Sequence, residues 1–157
     1  EAVKASAQKI NGYEDIKRVA SVSSANEKVG ALIVFRRKDD LQFVIESGIA
    51  LDATITTSLI KNIFFKNAPL NDGAVVIVDN RIVAAKCILP VTQSPVPKSY
   101  GTRHRAAIGI TETSDAVVVV VSEESGAISI VKAGQIKHNV DPQKLGFALK
   151  KALGQQK

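Results

Sequence analysis

Five consecutive valines at positions 117–121 constrain the fold of this chain more than any other feature of its sequence. Branching at Cβ favours extended backbone over helix, because branched side chains pack well on a pleated surface. The run has no alternating polar positions, so neither face of the segment is suited to water. We therefore predict a central strand over residues 116–122 that is buried on both faces.

The remaining apolar segments predict a sheet with helices packed on it. Branched apolar runs predict further strands over residues 31–35, 74–79, 81–89, 127–131 and 135–138, with 42–46 extending or pairing with the first. Asp79 and Asn80 separate two of these runs and predict a β-hairpin, because Asn tolerates the backbone of a tight turn.

Helical spacing of apolar residues predicts helices over 56–66 and 100–110, and Asp141-Pro142 is typical of the start of a last helix. Three prolines make 90–98 a loop. We expect one domain of the mixed α+β (α/β) class, in which helices flank a central mixed, mostly antiparallel sheet. Its core is expected over residues 29–157, with a peripheral helical segment over residues 1–28.

Composition excludes several other classes of protein. The chain has 157 residues, 45% of them apolar, which is enough to build a core. Cys87 is its one cysteine and His104 and His138 its two histidines, so a disulfide framework and a Cys/His zinc site are both excluded. No apolar run approaches the roughly 20 residues that cross a bilayer. The chain lacks methionine and begins at Glu1, so we expect a fragment of a longer protein.

The formal net charge of +6 favours anionic partners such as nucleotides, nucleic acid or an acidic membrane surface. Five Phe and two Tyr offer few rings for stacking on bases, which makes nucleic acid the least favoured of these partners. Basic residues are spread along the chain, so part of the excess is ordinary solubilising surface.

Residues 101–105, Gly-Thr-Arg-His-Arg, form the most informative segment. They place Arg103, His104 and Arg105 in the first turn of a predicted helix, where the helix dipole disfavours cations. Free N–H groups together with two guanidiniums suit a phosphate, which would offset that repulsion. The alternative is that both arginines are solvated or paired with Glu112 or Asp115.

Two further segments present acidic groups at predicted strand ends. Asp72-Gly73-Ala74 places a carboxylate in a turn before a strand, although Asp in turns often only caps its own backbone. Residues 122–126, Ser-Glu-Glu-Ser-Gly, follow the valine strand at the end where open α/β sheets bind ligands. That segment is equally compatible with a solvated loop.

Taken together, these motifs resemble the diadenylate cyclases, which condense two ATP into cyclic di-AMP. The resemblance covers residues 29–132, and five segments carry it: Gly30-Ala31-Leu32-Ile33-Val34, Asp72-Gly73-Ala74, Cys87-Ile88-Leu89-Pro90, Gly101-Thr102-Arg103-His104-Arg105-Ala106-Ala107 and Ser122-Glu123-Glu124-Ser125-Gly126. The most similar type is the membrane-anchored CdaA type, whose cyclase domain follows transmembrane helices.

The resemblance implies a role for each motif. Asp72 would bind a divalent metal and help to activate the ribose 3′-hydroxyl, while Arg103, His104 and Arg105 would hold the triphosphate as catalytic residues. Glu124 would be a second metal ligand. The implied nucleotide contacts are Gly73, Ala74, Leu89, Thr102, Arg103, Ser122, Glu123 and Glu124.

The resemblance also implies cofactor and partners. The cofactor would be Mg²⁺ or Mn²⁺, with Co²⁺ as a further candidate, and the substrate ATP. A homodimer is needed, because each ATP must offer its 3′-hydroxyl to the α-phosphorus of the other, and a two-fold axis supplies that arrangement. No nucleic acid is expected, and a regulatory protein is left unidentified.

The full-length protein would lie at the cytoplasmic side of the cell membrane, attached only through a region before Glu1, and this fragment would be soluble.

Two residues depart from the family pattern. Asn71 stands where many sequences of the membrane-anchored type have a His that can bind metal, and Asn is a weaker ligand. Ile88 stands where an aromatic residue is frequent, so aliphatic packing replaces stacking on the base. These departures keep open an alternative function, a catalytically silent module that binds a nucleotide or cyclic dinucleotide.

Overall fold

A computed structural model of the chain describes Ile16, residues 30–65 and residues 72–154. Seven described strands form one sheet in the order β2-β4-β3-β1-β5-β6-β7. They are β1 Ala31–Phe35, β2 Ile49–Thr54, β3 Ala74–Val78, β4 Arg81–Cys87, β5 Val117–Val121, β6 Ile128–Lys132 and β7 Gln135–Lys137. The described helices are α1 Gln42–Ser47, α2 Thr57–Ile63, α3 Thr102–Thr113 and α4 Leu145–Ala152, the last preceded by a 3₁₀ turn, Pro142–Lys144.

The valine strand β5 lies inside the sheet, and all five of its side chains are buried. Successive residues of a strand point to opposite faces, so the run supplies both cores. Val117, Val119 and Val121 pack in the layer that contains α2 and α4. Val118 and Val120 pack in the layer that contains α3 and Val44 of α1. The result is a sheet between two helical layers, which confirms the expected mixed α+β architecture.

Strand directions bring several chain segments to one edge of the sheet. β1 and β3 run parallel, whereas β4 is antiparallel to β3 and β5 is antiparallel to β1. The amino ends of β1 and β3 therefore lie beside the carboxyl ends of β4 and β5. Gly30 and Ser122 directly flank β1 and β5 there, and Asp72 and Leu89 lie two residues outside β3 and β4. This edge carries the candidate site.

The sequence predicts most elements close to their observed positions, but it assigns one segment to the wrong class and misses one strand. Residues 42–46 belong to α1 rather than to a strand. The helix starts after its N-cap Leu41, whose left-handed backbone (φ 52°) breaks the extended conformation, and Val44 is its one buried residue. Strand β2 was not predicted. It is an edge strand with no fully buried residue, so its apolar pattern is weak.

Two helix starts differ slightly from expectation. α3 begins at Thr102 instead of residue 100. Asp141 does cap the last helical segment, accepting a 2.9 Å hydrogen bond from the Gln143 N–H, but it opens the 3₁₀ turn that leads into α4. The predicted peripheral helices over residues 1–28 lie outside the described residues, except for Ile16, which is buried in the core. Within the described part of the chain, no helix combines the length and apolarity needed to cross a bilayer.

Candidate functional site

The start of α3 provides the cationic side of the site. Gly101 is its N-cap, offers no side-chain cap, and leads directly into Thr102, Arg103, His104 and Arg105. The first turn contains no acidic residue that would balance the helix dipole. The amino end of α3 therefore suits the binding of an anionic ligand.

Arg103 is held against the amino end of β1. A Cβ added to Gly30 would lie 2.7 Å from Arg103 Nη1 and 2.9 Å from Glu123 Cβ, so a side chain there would displace the guanidinium from this position. Arg103 Nη1 also donates to Glu123 Oε1 at 3.3 Å, in an ion pair whose arginine side chain is 24% exposed and whose glutamate is 57% exposed. These contacts direct Arg103 toward the edge of the sheet where Asp72 lies.

Asp72 is exposed and lies two residues before the start of β3. The next residue, Gly73, has φ +94°, and a Cβ there would lie 2.7 Å from the Cys87 carbonyl oxygen of β4. Both the left-handed backbone and the close approach to β4 require glycine. Gly73 therefore lets the chain turn into the sheet while Asp72 faces the cleft.

Two adjoining hollows make up the cleft. The larger, about 590 Å³, is lined by Asp72, Gly73, Leu89, Thr102, Arg103 and Glu123, together with an apolar wall that includes Leu32, Ile49, Ile88 and Val91. The smaller, about 300 Å³, is lined by Thr102, Arg103, His104, Ser122, Glu123 and Glu124 among others. Thr102, Arg103 and Glu123 belong to both, so the hollows form one continuous depression. Its polar and apolar walls suit a ligand that has both a charged and an apolar part.

The electrostatics of His104 follow from its position. Burial lowers the pKa of His104 below its ordinary value of 6.5, and the neighbouring positive charges of His138 and Arg103 lower it further. His104 is thus neutral at pH 7. A neutral ring can donate one hydrogen bond toward the smaller hollow without adding a further charge to the first turn.

The alternative partners considered for the two arginines are occupied elsewhere. Glu112 accepts hydrogen bonds from Thr92 Oγ1 at 3.0 Å, and Asp115 accepts from the backbone N–H groups of Lys38 and Asp39. Arg105 Nε donates to the Tyr100 carbonyl at 3.3 Å. Arg105 therefore supports the turn before α3.

Most of the predicted site residues line the cleft, and a few do not. Ala74 is fully buried in β3 and Arg105 contacts Tyr100, so neither lines a hollow. Asp72 and Glu124 line different hollows. Asn71 lies outside the described residues.

The donor set is compatible with a divalent ion held jointly with substrate. Among the described residues, no three His, Cys, Asp or Glu side chains are grouped as a metal cage would require. Mg²⁺ is commonly held by one or two carboxylates plus substrate phosphates, keeping several waters. The single carboxylate of Asp72, facing a hollow beside Arg103, fits that pattern.

Several cleft residues carry no sequence signal for binding. Ser47 and Gly48 end α1, and Ser47 Oγ accepts a 2.8 Å hydrogen bond from the Ile88 N–H, which ties this wall to the end of β4. Lys86 adopts φ 58° in β4, next to a register shift, and lines the larger hollow. Cys87 also lines it, and burial raises the pKa of its thiol to about 11, as expected for an inert, packed cysteine. The irregular end of β4 brings these residues to the cleft, and a backbone irregularity of this kind leaves no recognisable pattern in the sequence.

Comparison with known proteins gives a consistent result. A diadenylate cyclase of Listeria monocytogenes is 45% identical over 130 residues, covering 82% of this chain and 48% of the relative. The cyclic di-AMP synthase CdaA of Bacillus subtilis is 43% identical over 122 residues, covering 77% of this chain and 45% of the relative. This chain thus spans about half the length of these curated relatives.

The fold is that of a crystallised relative. The crystal structure of DacA from Staphylococcus aureus, an N166C/T172C double mutant, matches with a TM-score of 0.86 at 39% identity, covering 90% of this chain and 95% of that one. A hypothetical membrane-spanning protein of Bacillus cereus matches with a TM-score of 0.76 at 43% identity, covering 82% of this chain and 63% of that one.

A helix start rich in cations, facing a turn-borne carboxylate across one cleft, is the kind of site expected in a nucleotide-binding domain. The family model described as "DisA bacterial checkpoint controller nucleotide-binding", or DAC, matches residues 18–136. The chain belongs to this family. Membership confirms the resemblance that the motifs indicate.

Proposed function

We propose that this chain is the catalytic domain of a diadenylate cyclase, which condenses two ATP into cyclic di-AMP and releases two pyrophosphates. The observation that carries the proposal is the shared cleft: Asp72 and Arg103 line one hollow, and Arg103 continues into the hollow of Ser122 and Glu124. Family membership and the names of the relatives support the same reaction.

In the proposed arrangement the two hollows hold different parts of one ATP. The larger hollow, with Leu89 and its apolar wall, takes the adenosine, and its Asp72 lies toward the reacting end. The smaller hollow takes the triphosphate among Arg103, His104, Ser122 and Glu124. Arg105 contributes by holding the turn before α3 through Tyr100.

The reaction needs two copies of the domain, placed face to face. The 3′-oxygen of each ATP attacks the α-phosphorus of the other, the bond from that phosphorus to the bridging oxygen breaks, and pyrophosphate leaves. Asp72 orients the 3′-hydroxyl and accepts its proton, while Arg103 balances charge on the phosphates. Alignment of two nucleotides supplies much of the rate enhancement in such a site.

Asp72 would hold the divalent ion together with phosphate oxygens, and Glu124 is the candidate second carboxylate. Diadenylate cyclases depend on divalent metals as a class. When bound, the ion would lower the pKa of the 3′-hydroxyl and neutralise phosphate charge. Mg²⁺, Mn²⁺ and Co²⁺ are the candidates.

We place the full-length protein at the cytoplasmic side of the membrane. CdaA-type relatives and the membrane-spanning neighbour of Bacillus cereus support attachment to a membrane. ATP is the substrate and a second copy of the chain the required partner.

The direct test is to incubate the purified chain with ATP and each of Mg²⁺, Mn²⁺ and Co²⁺, and to separate the products by chromatography. With at least one of these ions, one cyclic di-AMP and two pyrophosphates should form for every two ATP consumed. ATP binding by calorimetry without any product, at concentrations where sedimentation shows dimers, would instead establish the silent binding module that Asn71 and Ile88 keep open.

A further inference from the structure

Tyr100 touches two of the three basic residues at the start of α3, although it lines neither hollow. Its ring stacks on the His104 ring, with centroids 5.6 Å apart and planes inclined by 29°. Its carbonyl oxygen accepts the hydrogen bond from Arg105 Nε at 3.3 Å. One residue outside the cleft therefore contacts both side chains that flank the turn.

Tyr100 is itself braced by the far end of the sheet. Its hydroxyl shares a hydrogen bond with His138 Nε2, and the two rings lie 5.2 Å apart. His138 Nδ1 lies 3.4 Å from Ser129 Oγ. Ser129 is 1% exposed in β6, and His138 directly follows β7. A continuous chain of contacts thus leads from a buried strand, through His138 and Tyr100, to His104.

The contacts from Ser129 through His138 and Tyr100 to His104, which we call the brace, order the first turn of α3. Arg103 and Arg105 repel one another and the helix dipole, so the first turn of α3 is a poor place for an ordered array of charged side chains. A side chain that must be ordered by its ligand weakens binding, because the ordering entropy is lost on association. A stacked ring and a hydrogen-bonded carbonyl order His104 and Arg105 beforehand.

We propose that Tyr100 and His138 are positioning residues: their contacts hold the His104 ring ready for the triphosphate, and the Tyr100 carbonyl fixes Arg105 against the turn before α3. The enzymatic part of this inference rests on the proposed cyclase function. Neither residue touches the nucleotide, so the effect of each is exerted through the first turn of α3. Loss of the brace should weaken the binding of ATP more than it slows turnover.

Kinetics of four variants test the proposal. Tyr100→Leu removes the ring that stacks on His104. The KM for ATP should rise about 3- to 10-fold while kcat changes less, because the His104 ring must then be ordered by the triphosphate itself. Tyr100→Phe and His138→Ala each remove the same hydrogen bond and should raise KM by about 2- to 3-fold. The double variant should raise KM by less than the product of the two single effects, because both changes remove the shared hydrogen bond, although His138→Ala also removes the ring contact with Tyr100 and the contact with Ser129. Lys137→Ala, an exposed neighbour at the end of β7, is the matched control.

A merely structural role would give a different pattern. It would lower the melting temperature of the variants while leaving KM at the wild-type value, and that result would overturn the proposal. Additive effects of Tyr100→Phe and His138→Ala would also contradict it.

A second measurement does not depend on activity. The chain has only two histidines, so their ring protons can be assigned in the proton NMR spectrum by comparison with His138→Ala. Stacking on Tyr100 should shift the His104 ring resonances upfield, and Tyr100→Leu should move them toward those of free histidine. Unchanged His104 resonances in folded Tyr100→Leu would refute the brace. If the wild type makes no cyclic di-AMP, the proposed function fails, while this spectrum still decides whether Tyr100 positions His104.

Discussion

At the scale of single residues, position in the fold distinguishes side chains that look alike in the sequence. Asp72 and Asp79 are both turn aspartates, one before and one after β3. Only Asp72 lines the cleft, while Asp79 occupies the exposed hairpin turn with φ 50°. The chemistry proposed for Asp72 therefore depends on the edge of the sheet at which it lies.

We predict that Asp72→Asn lowers the rate of cyclic di-AMP formation by about 100-fold or more, because the amide cannot accept the proton of the 3′-hydroxyl. ATP affinity should change little, since the cations that hold the phosphates remain. Initial rates and calorimetric titration with ATP measure the two effects. Asp79→Asn is the matched control and should keep wild-type activity, because Asn tolerates the left-handed backbone there. A fully active Asp72→Asn variant would remove Asp72 from the mechanism.

We predict that His104 titrates below its ordinary pKa of 6.5, because burial and the charges of His138 and Arg103 disfavour its protonated form. The unfolded chain then binds the proton more readily than the folded chain. Stability should decrease as the pH falls through about 6.5 and stop changing below the folded pKa of His104. NMR titration of the ring and urea unfolding across this range test the prediction, and a His104 pKa at or above 6.5 would contradict it.

At the scale of elements, α3 and the proline-containing segment 90–99 act as one unit. The Thr92 N–H donates to the Arg105 carbonyl at 3.1 Å, and Thr92 Oγ1 donates to Glu112 at 3.0 Å. Close packing reinforces these bonds, since a Cβ on Gly109 would lie 1.9 Å from the Pro90 carbonyl oxygen. The same contact sets the position of Leu89 at the cleft wall.

Gly109→Ala should destabilise the fold by roughly 1–3 kcal/mol, because the added methyl group forces α3 away from Pro90. Gly146→Ala in α4 is the matched control, since nothing lies within 4 Å of its added Cβ. That control should stabilise the protein by roughly 0.5–1 kcal/mol through helix propensity. Urea denaturation of both variants measures the effects, and equal stabilities would show that α3 does not press on Pro90.

At the scale of the whole molecule, the sheet gathers the cleft from segments that are distant in sequence. The site contains the residues that flank β1, β3, β4 and β5 and the first turn of α3. Strand directions place all of these at one edge. The cleft is open at this edge of the sheet, so a second copy of the domain can face it, as the proposed reaction requires.

The rate per protomer should fall on dilution, because a monomer holds one ATP and lacks its partner nucleotide. Initial rates across a dilution series, compared with the dimer fraction from sedimentation, test this dependence. The two curves should coincide. A constant rate per protomer in samples that are monomeric would contradict the face-to-face mechanism.

The features that could be predicted from sequence are those with local or periodic causes. The five valines predicted a strand buried on both faces because side chains alternate along any strand. The hairpin around Asp79 and Asn80 and the loop at 90–98 follow from backbone preferences of single residues. The order of the motifs was sufficient to indicate the family.

Only the tertiary structure decided which side chains meet in the cleft. Edge strand β2, the left-handed start of α1 at Leu41, and the packing of Arg103 against Gly30 have no periodic signal. The brace from His138 through Tyr100 to His104 joins the end of β7 to the start of α3. Such contacts depend on strand pairing, which is set by the burial of the entire sheet, so no stretch of sequence encodes them locally.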